Sequence, residues 1–197
     1  METELKLSGK KVGFALTGSF CTLEAAFAHL QSLLDAGADV YPIISENVAK
    51  MDTRFISANE TQKRLKEMTG RDAFKTIQEA EPIGPKKLLD VLVILPCTGN
   101  TASKIANAIT DTPVTMAAKA HLRNERPLII AISTNDGLSA NAKNIGALLN
   151  TRNVYFVPFY QDDPLKKTRS LAFYGPLLVD TILEAMKGKQ IQPILHI

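Results

Sequence analysis

The sequence predicts one α/β domain, built on a doubly wound parallel sheet with helices on both faces. Segments of strand and helix character alternate along nearly all of its 197 residues. The strand-like segments, such as 92–95, are continuous apolar runs, as expected for parallel strands that are buried on both faces. No linker or internal repeat divides the chain. We therefore expect a single domain over residues 1–197, with its core at about 10–187.

Five short apolar runs predict the strands of the sheet. They lie at residues 11–17, 40–44, 90–95, 127–132 and 154–158. Pro42 interrupts the second run, and because proline has no amide hydrogen to donate, it indicates an edge strand or an irregular stretch.

Apolar residues at helical spacing predict the connecting helices. These helices are expected at residues 22–34, 59–68, 72–80, 100–109, 113–122, 139–149 and 176–186. Gly37 closes the first helix, Asp72 is the expected N-cap of the third, and Pro113 lies in the first turn of the fifth. Residues 46–58 show no clear pattern.

Composition excludes several classes of function. A formal charge of +3 with interspersed charges gives little support for nucleic-acid binding. No apolar run approaches the roughly 20 residues that span a bilayer, and the polar start at 1–6 is unlike a signal peptide. Cys21 and Cys97 lie far apart without metal-type spacing. We expect a cytoplasmic protein without a metal site or membrane contact.

Four polar loops follow predicted strands, at residues 17–22, 45–47, 98–101 and 133–137. Each loop alone is also explained as an ordinary turn or helix cap. However, ligands bind outside the carboxyl ends of parallel strands, and helix N-termini favour anions such as phosphate. Because there is no GxGxxG or GK[ST] pattern, a dinucleotide or nucleoside triphosphate is disfavoured.

A resemblance then follows from the third loop. Pro96-Cys97-Thr98-Gly99-Asn100-Thr101 and the helix after it resemble the PASANT-type motif of the flavoprotein family that contains the homo-oligomeric flavin-containing cysteine decarboxylases. The loop 17–19 and the stretch 127–135 match that family's order, so the resemblance covers about residues 10–185. It implies a Rossmann-like FMN-binding fold, assembled as a trimer or a multiple of trimers, with flavin at a subunit interface.

The resemblance also implies a cofactor site. Gly18 and Ser19 would contact the flavin phosphate, with Ser45 beside them, and residues 98–101 would line the phosphate and ribityl region. Thr22 adds a hydroxyl donor in the first loop, and Asn135 matches one residue of the family's PxMN segment. The expected cofactor-binding residues are Gly18, Ser19, Thr22, Ser45, Thr98, Gly99, Asn100, Thr101 and Asn135.

Two departures from the family disfavour decarboxylation of the cysteine type. Arg54 stands where the decarboxylases carry a histidine before a phenylalanine, and of the PxMN segment only Asn135 is present. An arginine stays charged and cannot shuttle a proton near neutral pH. Its guanidinium can bind a carboxylate through two parallel hydrogen bonds, so Arg54 is a candidate substrate ligand. That Arg54 is simply a solvated surface arginine is an equally weighted alternative. No catalytic residue is assigned.

The segment 158–164, followed by Lys166, Lys167, Ser170 and Leu171, resembles one group within the family most closely. Members of that group act with a separate dehydrogenase-like subunit, which is expected to carry NADP. Together they oxidise a dihydropyridine dicarboxylate to its aromatic form in the mother cell of a sporulating bacterium. The run 166–169 could attract a dicarboxylate or an acidic partner, or be a solvated charge run. A stand-alone FMN-dependent decarboxylase and a non-catalytic scaffold for the partner remain open alternatives.

Overall fold

A computed structural model of the protein describes residues 5–196. Within that range seven strands form one sheet: β1 (Lys11–Leu16), β2 (Asp39–Ile44), β3 (Val91–Cys97), β4 (Leu128–Thr134), β5 (Val154–Phe156), β6 (Phe159–Tyr160) and β7 (Leu171–Phe173). Eight α-helices accompany them: α1 (Phe20–Asp35), α2 (Glu46–Lys50), α3 (Ala58–Thr69), α4 (Ile77–Ala80), α5 (Gly99–Ala106), α6 (Pro113–Leu122), α7 (Ala142–Leu149) and α8 (Leu178–Met186).

The α/β prediction is confirmed, with one addition at the far end of the sheet. The strand order is β2-β1-β3-β4-β7-β6, and β5 also pairs with β4. Strands β1 to β5 are parallel, whereas β7 pairs antiparallel with β4 and β6 pairs antiparallel with β7. The two antiparallel strands were not predicted, because runs of two and three residues are too short to show a periodic pattern.

The core consists of two apolar layers on opposite faces of the sheet. Successive strand residues alternate between the faces, so Phe14 and Leu16 enter one layer and Ala15 enters the other. Helices α1, α3 and α8 cover the first layer, while α4 to α7 cover the second. Strand β3 is buried along its whole length, as its continuous apolar sequence predicts.

The helix predicted at 72–80 is wrong in its first half. Residue 74 is extended and pairs with β2: the Ile44 N–H donates to the Phe74 carbonyl, and the Phe74 N–H donates to the Pro42 carbonyl, both at 2.9 Å. Helix α4 begins only at Ile77, where Thr76 and Glu79 form a capping box. Thr76 is therefore the N-cap rather than Asp72. Of the two alternatives that Pro42 indicates, the edge strand is confirmed, because β2 lies at one end of the strand order.

The remaining differences concern element ends. Strand β3 continues two residues beyond the predicted end, through Pro96 to Cys97, so α5 begins almost immediately after it. The unclear stretch 46–58 contains the short helix α2 and a loop. None of the helices within residues 5–196 is both long enough and apolar enough to cross a membrane.

One buried histidine couples the fold to pH. His121 on α6 is buried, and its Nε2–H donates to the Pro127 carbonyl at 3.0 Å. Burial lowers the pKa of His121 from 6.5 to about 4. Between these two values the unfolded chain binds a proton that the folded chain does not, so acidification favours unfolding.

We therefore expect the stability of the protein to fall as the pH drops from about 6.5 to about 4. The loss attributable to His121 is roughly 3 kcal/mol at most, since one pKa unit corresponds to about 1.4 kcal/mol. The variant His121→Gln, whose amide can still donate to the carbonyl, should show a flatter pH dependence in this window. Urea unfolding at several pH values measures the free energy of unfolding of both proteins. If this free energy changes equally with pH in the wild type and in His121→Gln, the prediction is contradicted.

Candidate functional site

The ends of β1, β2, β3 and β4 bring the four polar loops together at the carboxyl edge of the sheet, where they form two adjoining clefts. The first cleft, of about 370 Å³, lies between the ends of β1, β2 and β3 and reaches the α5–α6 connection. The second, of about 350 Å³, lies between the ends of β1 and β4 and the segment before β7. Both volumes fall within the range of about 300–1,000 Å³ typical of ligand sites. Gly18 and Thr98 line both clefts.

A buried hydroxyl joins the first and third loops. The Thr17 hydroxyl donates to the Pro96 carbonyl at 2.7 Å and accepts from the Thr98 N–H at 3.0 Å. It therefore links the ends of the adjacent strands β1 and β3 and places Gly18 beside Thr98. Thr17 was not among the predicted site residues, because the sequence alone does not show that its side chain turns inward.

Two helix N-termini face the clefts. Helix α1 begins after Ser19, and α5 begins after Thr98, whose hydroxyl accepts from the Thr101 N–H at 3.2 Å. The N–H groups at the first two positions of α5, Gly99 and Asn100, have no acceptor within the helix. Neither α1 nor α5 carries an acidic residue in its first turn, whereas α2, α3 and α4 each do. The positive ends of α1 and α5 are thus available to an anion.

Three hydroxyl groups form a triangle in the second cleft. The Ser19 hydroxyl lies 2.6 Å from that of Thr22 and 3.0 Å from that of Ser133, and the Thr22 and Ser133 oxygens are 3.1 Å apart. Each hydroxyl has one proton to donate and two lone pairs to accept, so the triangle can rearrange to donate to a bound oxyanion. Ser133 was in a predicted loop but not among the predicted site residues.

Gly99 lies behind the clefts, packed against a polar network. The Asp136 carboxylate accepts from the Thr134 hydroxyl at 2.5 Å and from the Asn141 amide at 2.8 and 2.9 Å. These hydrogen bonds, the one from Thr134 first, lower the pKa of Asp136. A Cβ on Gly99 would lie 2.5 Å from both Asn141 Nδ2 and Thr134 Oγ1. Glycine therefore lets the N-terminus of α5 approach the fourth loop.

Each cleft contains a lysine paired with an aspartate. In the first, Lys104 Nζ lies 2.8 and 2.7 Å from the two carboxylate oxygens of Asp111, and this hydrogen bond lowers the pKa of Asp111. In the second, Lys167 Nζ lies 2.6 Å from Asp162 Oδ2. Neither of these aspartates therefore presents an uncompensated negative charge to a ligand.

The structure places eight of the nine predicted cofactor residues on the clefts. Ser45, Asn100 and Thr101 line the first cleft, while Ser19, Thr22 and Asn135 line the second, and Gly18 and Thr98 line both. Gly99 is the exception. Arg54 lines neither cleft; it is exposed, with its guanidinium carbon 4.8 Å from the centre of the Phe55 ring. The roles of the nine predicted cofactor residues and of Arg54 in binding remain predictions.

The family model for flavoproteins matches residues 1–190. The chain belongs to the flavoprotein family. It is 49% identical to the B subunit of dipicolinate synthase from Bacillus subtilis strain 168 over 189 residues, which span 96% of this chain and 94% of that protein. This similarity confirms both the predicted family and the predicted group within it.

Solved structures of flavoproteins support the same fold. The crystal structure of the dipicolinate synthase B subunit from Bacillus halodurans has a TM-score of 0.89 at 44% identity, covering 97% of this chain and 98% of that chain. The FMN-dependent cysteine decarboxylase SpaF has a TM-score of 0.65 at 17% identity, covering 90% of this chain and 98% of that chain. At that identity, the likeness to SpaF concerns the fold alone.

The two cysteines of this flavoprotein differ in their surroundings. Cys97 is fully buried, and burial raises the pKa of its thiol to about 12, so it is not a nucleophile at neutral pH. Cys21 is exposed at the second cleft. Within residues 5–196, no three His, Cys, Asp or Glu side chains are grouped so as to hold a metal ion.

The packing around Gly99 generates a testable prediction. Gly99→Ala should cost about 1–3 kcal/mol of stability, because the new methyl group forces apart Thr134, Asn141 and the start of α5. Gly146→Ala is the matched control: it lies in α7, where an added Cβ meets nothing within 4 Å apart from its chain neighbours and the backbone of its own helix, and should stabilise by up to about 1 kcal/mol. Urea unfolding measures both. Equal effects of the two substitutions would contradict the close approach at Gly99.

Proposed function

We propose that the chain is the B subunit of dipicolinate synthase, which acts with the dehydrogenase-like A subunit of that enzyme to oxidise dihydrodipicolinate to dipicolinate during sporulation. The observation that carries this proposal is the near full-length similarity, at 49% identity, to the Bacillus subtilis protein. The geometry supports it, because a cleft suited to an anion and a second polar cleft share one wall at Gly18 and Thr98. A cofactor and a small substrate can therefore lie side by side.

The proposed reaction removes two electrons and two protons from the dihydropyridine ring, as one hydride and one proton, and leaves an aromatic ring. NADP⁺ is the proposed hydride acceptor. Because this chain has no GxGxxG turn, we place the nicotinamide on the A subunit. The B subunit would then bind a flavin-type group, position the substrate, or do both.

The first cleft fits the phosphate and ribityl portion of FMN. Hydroxyls of Ser45, Thr98 and Thr101 line it, together with the N-terminus of α5. Its two carboxylates are already paired, Asp111 with Lys104 and Glu46 with Lys50 at 3.4 Å. At Gly18 the wall between the two clefts consists of backbone atoms, because glycine has no side chain. When bound, the flavin would supply two-electron redox chemistry; these residues would hold and orient it.

The proposed FMN site makes binding depend on the phosphate. We expect FMN to bind at least tenfold more tightly than riboflavin, because riboflavin lacks the group that the helix N-terminus and hydroxyls contact. Gly18→Asp should weaken FMN binding at least tenfold by like-charge repulsion, while Gly18→Asn should have a much smaller effect. An added Cβ at Gly18 meets its nearest atom, Phe20 Cζ, at an ordinary 3.5 Å. Quenching of flavin fluorescence measures all of these affinities.

Asn59→Asp is the control for this experiment, because it places the same charge on the exposed first turn of α3 and should leave FMN binding unchanged. Equal affinities for FMN and riboflavin would contradict the phosphate site. A colourless chain that binds no flavin and is still required for activity would indicate the scaffold alternative.

We further propose that the chain forms a homo-oligomer, a trimer or a multiple of trimers, in the cytoplasm of the mother cell. Arg54 lies outside both clefts of its own chain. We therefore propose that it contacts a substrate carboxylate in a cleft of a neighbouring chain of the oligomer. A guanidinium suits that role, because it can donate two parallel hydrogen bonds to a carboxylate.

Mixing this chain with its dehydrogenase-like partner tests the proposed function. We expect dipicolinate formation from dihydrodipicolinate and NADP⁺ to require both proteins, with at least a tenfold lower rate for the partner alone. Arg54→Ala should raise the apparent KM of the mixture at least tenfold, as expected for the loss of two charged hydrogen bonds to the carboxylate. Arg152→Ala, at an exposed ion pair with Glu125, is the control and should leave KM unchanged.

Three results would count against these assignments. If the dehydrogenase-like partner alone reaches the rate of the mixture, this chain has no part in the reaction. Release of carbon dioxide by the flavin-loaded chain without a partner would support the decarboxylase alternative. An unchanged KM for Arg54→Ala would exclude Arg54 as the carboxylate ligand.

A further inference from the structure

We propose that the second cleft binds the ring dicarboxylate on which the proposed reaction acts, and that Lys167 is the residue that selects a dicarboxylate over a monocarboxylate. This inference rests on the proposed function and assigns its substrate to a defined place. It starts from the run 166–169, which the sequence alone leaves open as either a ligand for a dicarboxylate or a solvated charge run. Of those four residues, Lys167 lines the second cleft.

The cleft offers two sets of anion donors on different elements. The first is the hydroxyl triangle of Ser19, Thr22 and Ser133, which lies at the N-terminus of the 16-residue helix α1. The second is the ammonium group of Lys167, on the segment between β6 and β7. In the proposed complex each set binds one of the two carboxylates of the ring, since both sets line the same cleft.

Lys167 is positioned by Asp162 and still has an N–H donor available for a ligand. Its Nζ lies 2.6 Å from Asp162 Oδ2, and an ammonium group has three N–H donors, so at least one stays available to a ligand. Burial acts to raise the pKa of Asp162, but hydrogen bonds from Lys167 and Ser170 outweigh it and lower that pKa, so Asp162 stays ionised. Among the described residues lining this cleft, Asp162 is the single acidic one, and its charge is already paired.

The position of the cleft suits a substrate next to a cofactor. Gly18 and Thr98 separate it from the first cleft, for which we propose the phosphate and ribityl portion of FMN. Phe20 and Leu171 add apolar surface to its lining, which suits the faces of a pyridine ring. The lining thus combines apolar surface with anion donors at separate points, as a ring bearing two carboxylates requires.

The test compares two ligands on the full chain by calorimetry, using pyridine-2,6-dicarboxylate and pyridine-2-carboxylate. We expect the wild-type chain to prefer the dicarboxylate at least tenfold. Lys167→Met should lower affinity for the dicarboxylate at least tenfold more than affinity for the monocarboxylate, so that the preference disappears, while the Asp162 carboxylate that loses its partner weakens both ligands alike. Lys167→Arg should restore most of it. Lys166→Met, a neighbouring exposed lysine outside the cleft, is the matched control and should behave like wild type.

Urea unfolding of each variant shows whether the fold is kept, which we expect because Lys167 is an exposed loop residue. A wild-type chain without preference for the dicarboxylate would overturn the inference, as would equal losses in Lys167→Met and Lys166→Met. The rate of dipicolinate formation by the mixed proteins distinguishes a failure of this inference from a failure of the proposed function. If the mixture is active but Lys167→Met leaves the dicarboxylate preference intact, the inference fails while the proposed function stands.

Discussion

The geometry of the carboxyl edge depends on one buried hydroxyl, that of Thr17. By donating to the Pro96 carbonyl and accepting from the Thr98 N–H, it satisfies two backbone groups at the point where β1 and β3 end. Buried backbone groups without a partner are costly, so this hydrogen-bonded junction strongly favours one arrangement of the two loops. Gly18 and Thr98 consequently become a common wall, and the two clefts that flank it acquire a definite spacing.

The charge distribution around that wall explains why both clefts suit anions in a chain of modest net charge. A helix N-terminus favours an anion by about 0.3–1 kcal/mol, which is small by itself. Here the N-termini of α1 and α5 act together with hydroxyl groups, and the nearby carboxylates of Asp111 and Asp162 are neutralised by lysines. The site gains its electrostatic character from local arrangement rather than from an excess of basic residues.

Some features of the site could be predicted and others could not. Thr98 and Ser45 are helix caps that follow buried strands, and such local patterns are visible in a sequence. Phe74 shows the limit, because its backbone pairs with β2, a strand some thirty residues away, and this overrides a local helical pattern. Ser133 and Lys167 were weighed as parts of a turn and a charge run. Only the fold shows that they face the same cavity as Ser19.

The sequence by itself determined the layered α/β class, the parallel strands β1 to β5 and the loops that carry the polar residues, because periodicity and caps are local properties of a chain. The tertiary structure alone decided that β6 and β7 extend the sheet antiparallel, that Gly99 packs against Asp136, and that Arg54 lies apart from the clefts while Lys167 lines one. These depend on contacts between residues distant in the chain, and no local pattern encodes such contacts.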